Sequence, residues 1–440
     1  MKRRIKYAVF LLAVALFASG CSMRTVDEMY VLPKRSEDYS NLQSAMDQAM
    51  VNLEFSAPLS GDNQQSVQMA DVDGDGEQEY MVFAKANSEL PLRILIFDRK
   101  GDQFVHTDTV ESNGTAFDQV EYIQMDDKPG VEMVLGRQVS DQLVRSVSVY
   151  TFSSGEAEQL MTANYQKFVT VDLDDNGYDE LFLLHPGLTE TDNGVAELYG
   201  MENGIMVRSN EMPMSGPVGQ LKRILVGKLH DKKTAVYVAS TVNDTSLITD
   251  VYTKAGQRLV NVSLSNESGT SVQTLRNYYV YADDMDDDGV VELPRLSVMV
   301  PLDTASDYTQ SDLLMWYALN SDGTIEEKLY TYYDATGGWY LELDKALAPR
   351  VTVERKTNLF EFYIWNEDYS LAQKVLTIYT LTAQNREEQS LADGRFVLMR
   401  TDTVTYAASL DAAAANYQIT KESIVSSFRL IHRDWNSGEM

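Results

Sequence analysis

Three stretches of the chain place carboxylates at alternate positions ahead of a glycine. Asp71, Asp73 and Asp75 precede Gly76, and Glu79 follows three residues later. Asp172, Asp174 and Asn176 precede Gly177, with Glu180 after it; Asp284, Asp286 and Asp288 precede Gly289, with Glu292 after it. The shared frame is D-x-D-x-[DN]-G-x-x-E followed by apolar residues. Side-chain oxygens at positions 1, 3 and 5 of a tight loop converge on one point, and glycine at position 6 permits the sharp turn. A backbone carbonyl near position 7 and the acid at position 9 complete a set suited to a hard cation. Calcium is the expected ion, since it takes six to eight oxygens, and a structural role is expected rather than a catalytic one.

A helix-loop-helix calcium switch is excluded by the same frame. It requires a bidentate Glu at position 12 between amphipathic helices. Position 12 here is Val82, Leu183 or Arg295, and the flanks read as strands.

The motifs begin at Asp71, Asp172 and Asp284, intervals of 101 and 112 residues. Two degenerate copies fall between them, in Val120–Gly136 and in Lys222–Ser240. Turn centres then recur near residues 74, 127, 175, 231 and 287, a period of about 53 residues. Around each turn, short apolar runs rich in Val, Ile, Tyr and Phe are broken by Gly, Asn and Asp, which marks antiparallel strands. "SVQMADV" and "YMVFAKA" flank the first loop; "KFVTVDL" and "ELFLLHP" flank the third. Four strands per period of this length is the spacing of a propeller blade.

These loops resemble the calcium loops of FG-GAP or VCBS repeats, the blades of integrin-alpha-like propellers. The resemblance covers roughly Gln65 to Tyr333. Position 9 is Glu in all three copies where Asp is more usual, and the Phe-Gly and Gly-Ala-Pro signatures are absent or eroded. The resemblance implies a mainly β fold: a β-propeller-like domain of about five or more four-stranded blades, with structural Ca²⁺ in the loops, followed by a small α+β domain.

The first residues read as an export leader. Lys2, Arg3, Arg4 and Lys6 precede an apolar run from Tyr7 to Ala18, which is too short for a permanent span and fits a signal h-region. The run ends in Ala18-Ser19-Gly20-Cys21, which resembles the bacterial lipobox. Cys21 is the chain's one cysteine, so it has no disulfide partner, and lipidation at Cys21 is the expectation. The expected division is a signal peptide over 1–20, a tether over 21–36, an N-terminal helix and the propeller-like repeats over 37–335, and the C-terminal α+β domain over 336–440. The leader contains those four basic residues, so its removal takes the formal charge from −29 to about −33. A chain so acidic, with no gathered basic patch, is not a nucleic-acid binder.

Ser36 to Leu53 carries Leu42, Ala45, Met46, Ala49, Met50 and Leu53 at helical spacing, which predicts a helix packed on the first blade. In the C-terminal region, strands are expected near Trp339–Leu343, Arg350–Arg355, Leu359–Trp365 and Lys374–Thr382, with a final short helix capped by Thr420. The region resembles C-terminal domains of Firmicutes lipoproteins, in which a Gly-Trp-Tyr strand opens the unit and a Ser-Phe-x-Leu-Ile segment closes it. It also bears a loose likeness to PsbP-type sheets.

Catalytic patterns are scarce. No Gly-x-Ser-x-Gly occurs, and His106, His185, His230 and His432 are scattered with no zinc spacing. No glycine-rich phosphate loop is present. Carboxylate pairs suited to glycoside hydrolysis remain open in so acidic a chain. Trp316-Tyr317, Tyr330-Tyr332-Tyr333, Trp339-Tyr340 and Tyr363-Trp365 read as strand core and interface rather than a glycan platform. The sequence thus points to a non-catalytic, membrane-anchored surface protein of the extracytoplasmic face, with an envelope protein or extracellular glycan as partner. Two alternatives stand beside it: an extracellular hydrolase acting on a polysaccharide or other envelope polymer, and an accessory subunit of an envelope complex.

Overall fold

The computed structural model describes residues 37–139, 145–187, 192–242, 246–302 and 313–431. The expected leader, Cys21, the tether and His432 lie outside the described residues. No helix among the described residues is long and apolar enough to cross a membrane.

The fold is mainly β, in six antiparallel sheets that follow the chain order. Helix α1 (Glu37–Ala49) leads into sheet one: β1 (Leu53–Phe55), β2 (Val67–Ala70), β3 (Glu79–Ala86), β4 (Leu92–Lys100) and β5 (Gln103–Ser112). Sheet two comprises β6 (Ala116–Ile123), β7 (Glu132–Gln138), β8 (Arg145–Thr151) and β9 (Glu158–Tyr165). Sheet three comprises β10 (Lys167–Val171), β11 (Glu180–His185), β12 (Val195–Glu202) and β13 (Ile205–Pro213). Sheet four comprises β14 (Leu221–Lys228), β15 (Thr234–Val242), β16 (Ser246–Ala255) and β17 (Arg258–Asn261). Sheet five runs β18 (Glu292–Leu296), β19 (Leu313–Leu319), β20 (Ile325–Asp334), β21 (Trp339–Leu343) and β27 (Phe428–Leu430). Sheet six holds β22 (Val351–Lys356), β23 (Leu359–Trp365), β24 (Ala372–Leu381), β26 (Thr405–Leu410) and β25 (Phe396–Arg400). Two short helices, α2 (Arg386–Gln389) and α3 (Lys421–Ser427), complete the described chain.

Strands in the middle of this series are buried on both faces, which is why they read as continuous apolar runs rather than strict alternation. In β3, Met81 and Phe83 join Phe117, Val120 and Met133 of sheet two. On its other face, Val82 and Ala84 meet Leu42 and Met46 of α1. The same hand-over continues along the chain. Val134 and Val149 of sheet two meet Leu181 and Leu183 of sheet three. Phe182 and Leu184 meet Val236 and Val238 of sheet four, and Tyr237 and Val251 meet Leu293 and Tyr317 of sheet five. Within a strand such as β7, Met133 and Leu135 face one neighbouring sheet and Val134 the other, as the two-residue period of a strand dictates.

Sheet six departs from this pattern. It packs on Tyr332, Trp339 and Leu341. Tyr332 pairs with Leu313, so it shares a face with Met315 and Tyr317, the face already turned to sheet four. No buried cluster of the described residues joins sheet six to sheet one. The boundary expected at residue 336 needs correction for the same reason. Trp339–Leu343 does not open a separate unit; it pairs with β20 over Tyr330–Asp334 and is the fourth strand of sheet five. The closing Ser-Phe-x-Leu-Ile segment returns to it as β27, with Trp339 opposite Leu430 and Leu341 opposite Phe428. Trp339 and Phe428 stack at 5.3 Å. The final helix is capped by Thr420, whose side chain accepts from the Ser423 amide in a full capping box.

Candidate metal sites in the acidic loops

All three acidic motifs occupy the same place: the turn that enters β3 of sheet one, β11 of sheet three and β18 of sheet five. In sheet five the segment before the turn makes only a single bridge, between Asp283 and Glu292. The glycine at position 6 has positive φ in every copy, 91° at Gly76, 90° at Gly177 and 79° at Gly289. Position 4 is left-handed as well, and Gly74 there has a second constraint. A Cβ at Gly74 would come within 2.3 Å of Pro129 in the neighbouring turn.

The position-1 carboxylate is the hub of each turn. Asp71 accepts from the amides of Gly74 (2.8 Å) and Gly76 (3.1 Å). Asp172 accepts from Asn176 and Gly177, and Asp284 from Asp288 and Gly289. The position-9 glutamate is the first residue of the following strand and is buried: Glu79 is 2% exposed, Glu180 4% and Glu292 0%. Its Oε2 accepts the amide of position 2, Val72 at 2.8 Å, Leu173 at 2.9 Å and Met285 at 2.9 Å. The degenerate copy in sheet two keeps this brace, since Glu132 accepts from the Met125 amide at 3.1 Å. The extra methylene of Glu over Asp lets one oxygen reach back across the hairpin while the other faces the loop.

Positions 1, 3 and 9 converge. Oxygens of Asp71, Asp73 and Glu79 lie within 4.8 Å of one another, as do those of Asp172, Asp174 and Glu180, and those of Asp284, Asp286 and Glu292. Position 5 has another task in the structure: Asp75, Asn176 and Asp288 each accept the amide two residues on, at Glu77 (2.8 Å), Tyr178 (2.7 Å) and Val290 (2.8 Å). Side chains of this type close turns on their own backbone. The clusters offer only oxygen, a donor set for hard cations rather than zinc-type ions.

The three loops differ in what neutralises them. In loop two, the Lys254 amine from β16 lies 2.6 Å from Asp174 and is also bonded to Glu180. Lys228 from β14 reaches Asp175 at 2.5 Å. In loop three, Lys328 from β20 sits 2.5 Å from Asp288, 3.6 Å from Asp286 and 4.0 Å from Glu292. Among the described residues no lysine bonds an acid of loop one, and Lys100 acts on Asp73 and Asp75 only at longer range. Opposite Glu79, one step beyond the Tyr80–Phe97 pair, stands another carboxylate, Asp98, 5% exposed. Lys100 bonds Asp98 from the solvent side. One oxygen each of Glu79, Asp98 and Glu292 is buried with no hydrogen-bond partner. Burial pushes Glu79 up to about 7 and Glu292 up to about 8, and neighbouring carboxylates, Asp73 and Asp98 for Glu79 and Asp286 for Glu292, add to the rise. For Glu180 burial also raises the carboxyl, opposed by Lys254. An orphaned buried oxygen among acids is a fit for a bound cation.

Backbone bonds link the turns of successive sheets. Val131 donates to the Asp71 carbonyl (3.1 Å), Asp179 to Gln124 (2.8 Å) and Val291 to Lys228 (2.9 Å). The acidic turns thus lie on one edge of the series and join neighbouring sheets there.

Sequence reasoning missed Asp98, Lys228, Lys254 and Lys328. They stand on strands remote in sequence, and only the register of "LRILIFDRK" could have placed Asp98 opposite Glu79. The histidines form no cluster: His106 bonds Thr109 at 2.8 Å and His185 lies 3.5 Å from Glu197. The aromatic group is core, with Trp316 and Trp339 at 0% exposure, while Tyr363 and Trp365 are half-buried.

No family model and no curated protein matches the chain. Among solved structures, it is similar to a rhamnogalacturonan lyase of Bacillus licheniformis at 9% identity and a TM-score of 0.31, covering 70% of this chain and 90% of that one. A second rhamnogalacturonan lyase, YesW, gives 13% identity and a TM-score of 0.29 over 73% of this chain and 72% of that one. An exo-β-1,3-galactanase of Phanerochaete chrysosporium gives 10% identity and 0.26 over 76% and 82%. At such TM-scores the likeness carries no argument about this chain.

Proposed function

We propose that the chain is a lipid-anchored cell-surface binding protein, held to the membrane through Cys21. Sheets one to five are the blades of an open, propeller-like series, and calcium clips their turns. The observation that carries this reading is the recurrence of one oxygen cluster at one turn of three sheets, each beside a bonded neighbouring turn. Asp71, Asp73 and Glu79 would hold the ion in loop one; Asp172, Asp174 and Glu180 in loop two; Asp284, Asp286 and Glu292 in loop three. Asp75, Asn176 and Asp288 shape the turns around it. A bound ion supplies the positive charge that offsets these acids. Loop one has the greatest need of it, because lysines already serve the other two. Partners are an envelope protein or an extracellular glycan met by the exposed strand ends.

Extracellular calcium modules bind with Kd of roughly 10⁻⁴ to 10⁻³ M, and a ligand that binds only the folded state raises its stability by mass action. Calorimetric melting of chelated protein, repeated in millimolar calcium, should show a clear rise in Tm, with magnesium giving less. An unchanged Tm would remove the metal reading. For the anchor, metabolic labelling with an alkyne fatty acid should tag the parent chain and not the Cys21→Ser variant; equal labelling would remove it.

A further inference from the structure

The opposite ends of these strands carry a pocket of the opposite sign. It lies where β16 begins at Ser246 and β18 ends at Leu296, away from the acidic turns, and has a volume of 340 Å³. Ser246, Gln273, Arg276, Asn277, Tyr278 and Arg295 line it, and among the described residues no Asp or Glu does. In a chain of net charge −29, a wall with two arginines and no acid calls for a cause.

Arg276 is 5% exposed, and all its bonds go to neutral oxygens. It donates to the carbonyls of Val280 (2.7 Å) and Thr274 (2.8 Å) and twice to the Thr249 hydroxyl (3.2 and 3.1 Å). A guanidinium has five N–H donors, so one on Nη2 is left over. Burial pulls Arg276 down to about 10, and the groups opposing that fall are the phenols of Tyr278, Tyr317 and Tyr281. Buried charges are ordinarily paired; this one faces no carboxylate. Arg295 is half-buried, and its guanidinium lies 4.7 Å from the centre of the Tyr317 ring. The hydroxyls of Tyr278 and Tyr317 are both buried without a hydrogen-bond partner. Two guanidinium groups and the Tyr278 phenol therefore line one small opening, and no carboxylate of the described residues faces them.

We infer that this pocket binds the oxyanion of a small ligand, a carboxylate, sulfate or phosphate group, between Arg276 and Arg295 with Tyr278 as a third donor. Guanidinium groups take such anions in charge-assisted, often bidentate bonds. The volume is at the small end for ligand sites and suits one sugar acid or a free inorganic anion. The inference does not depend on calcium in the acidic turns.

The test is isothermal titration of the full chain, in chloride buffer with EDTA, against sodium sulfate, sodium phosphate and sodium glucuronate in turn. Saturable binding of at least one, at one site per chain, is expected. A response to sulfate or phosphate identifies a tetrahedral anion as the ligand; a response to glucuronate alone identifies a carboxylate. Arg295→Gln should weaken binding about tenfold or more, and Tyr278→Phe about threefold. Arg295 is half-buried and bonds no carboxylate among the described residues, so Arg295→Gln should melt within a few degrees of the parent, which keeps the comparison valid even where Arg276 variants fail to fold. No saturable binding of any of the three anions would overturn the inference, as would Arg295→Gln binding like the parent.

Discussion

Loop one and loop two have the same frame, the same left-handed turn and the same buried glutamate brace, yet they are opposites electrostatically. Loop two is filled by the chain itself: the Lys254 amine stands between Asp174 and Glu180, an ammonium where a cation would sit. Loop one faces a fourth carboxylate, Asp98, and leaves oxygens of Glu79 and Asp98 unbonded. Loop three lies between them, with Lys328 drawn toward its outer acid, Asp288. A shared motif therefore fixes a shape without fixing a charge balance. That balance is set by strands that arrive later in the chain.

The sharpest way to break the comparison is Lys254→Met. Its side chain is only 9% exposed, and removing one partner of a buried ion pair costs about 3–5 kcal/mol. Urea denaturation in EDTA should show a loss of that order, and millimolar calcium should return much of it, because loop two then resembles loop one. Equal stability of variant and parent in EDTA would mean that Lys254 does not neutralise the loop.

Glu79→Gln comes next. The amide oxygen can still accept from Val72, so the brace survives, while the carboxylate is lost. The calcium-dependent rise in Tm should fall by half or more, measured against an identical change at Glu132, whose turn has Gln124 in place of the position-1 carboxylate and should give no calcium effect. Asp98→Asn should change sign with conditions. In EDTA it relieves repulsion and stabilises by about 1 kcal/mol; in calcium it lowers the gain. A loss under both conditions would show that Asp98 is simply a strand residue paired to Lys100. The smallest effect is Gly76→Ala. Its added Cβ meets nothing within 4 Å, so the cost is the left-handed backbone alone, about 1 kcal/mol, and similar at Gly177.

The turns, their period and most strand positions could be read from the sequence because each is encoded within a dozen residues. Helix α1 and the Thr420 cap were legible for the same reason. The lysines were not: the bond from Lys254 to Glu180 spans 74 residues, and its placement depends on how sheet four meets sheet three. Spacing marks position 5 as a ligand, but it could not show that one oxygen of Asp75, Asn176 and Asp288 accepts the amide two residues on. The place of Trp339 was hidden because a strand's partner is not written in the strand. Tyr340 fits a first strand and a fourth strand equally well until Tyr333 is seen opposite it.

Helix α1 has a consequence beyond its own burial. Sheets two to four each give one face to the sheet before and one to the sheet after, so such a series has no intrinsic stopping point. Ahead of sheet one, Leu42 and Met46 of α1 cover Val82, Ala84, Leu95 and Phe97, the face that the inner sheets give to a neighbouring sheet. Terminal units of stacked repeats need a cover of this kind. The helix thus leaves the outer face of sheet one sealed by the chain's own side chains.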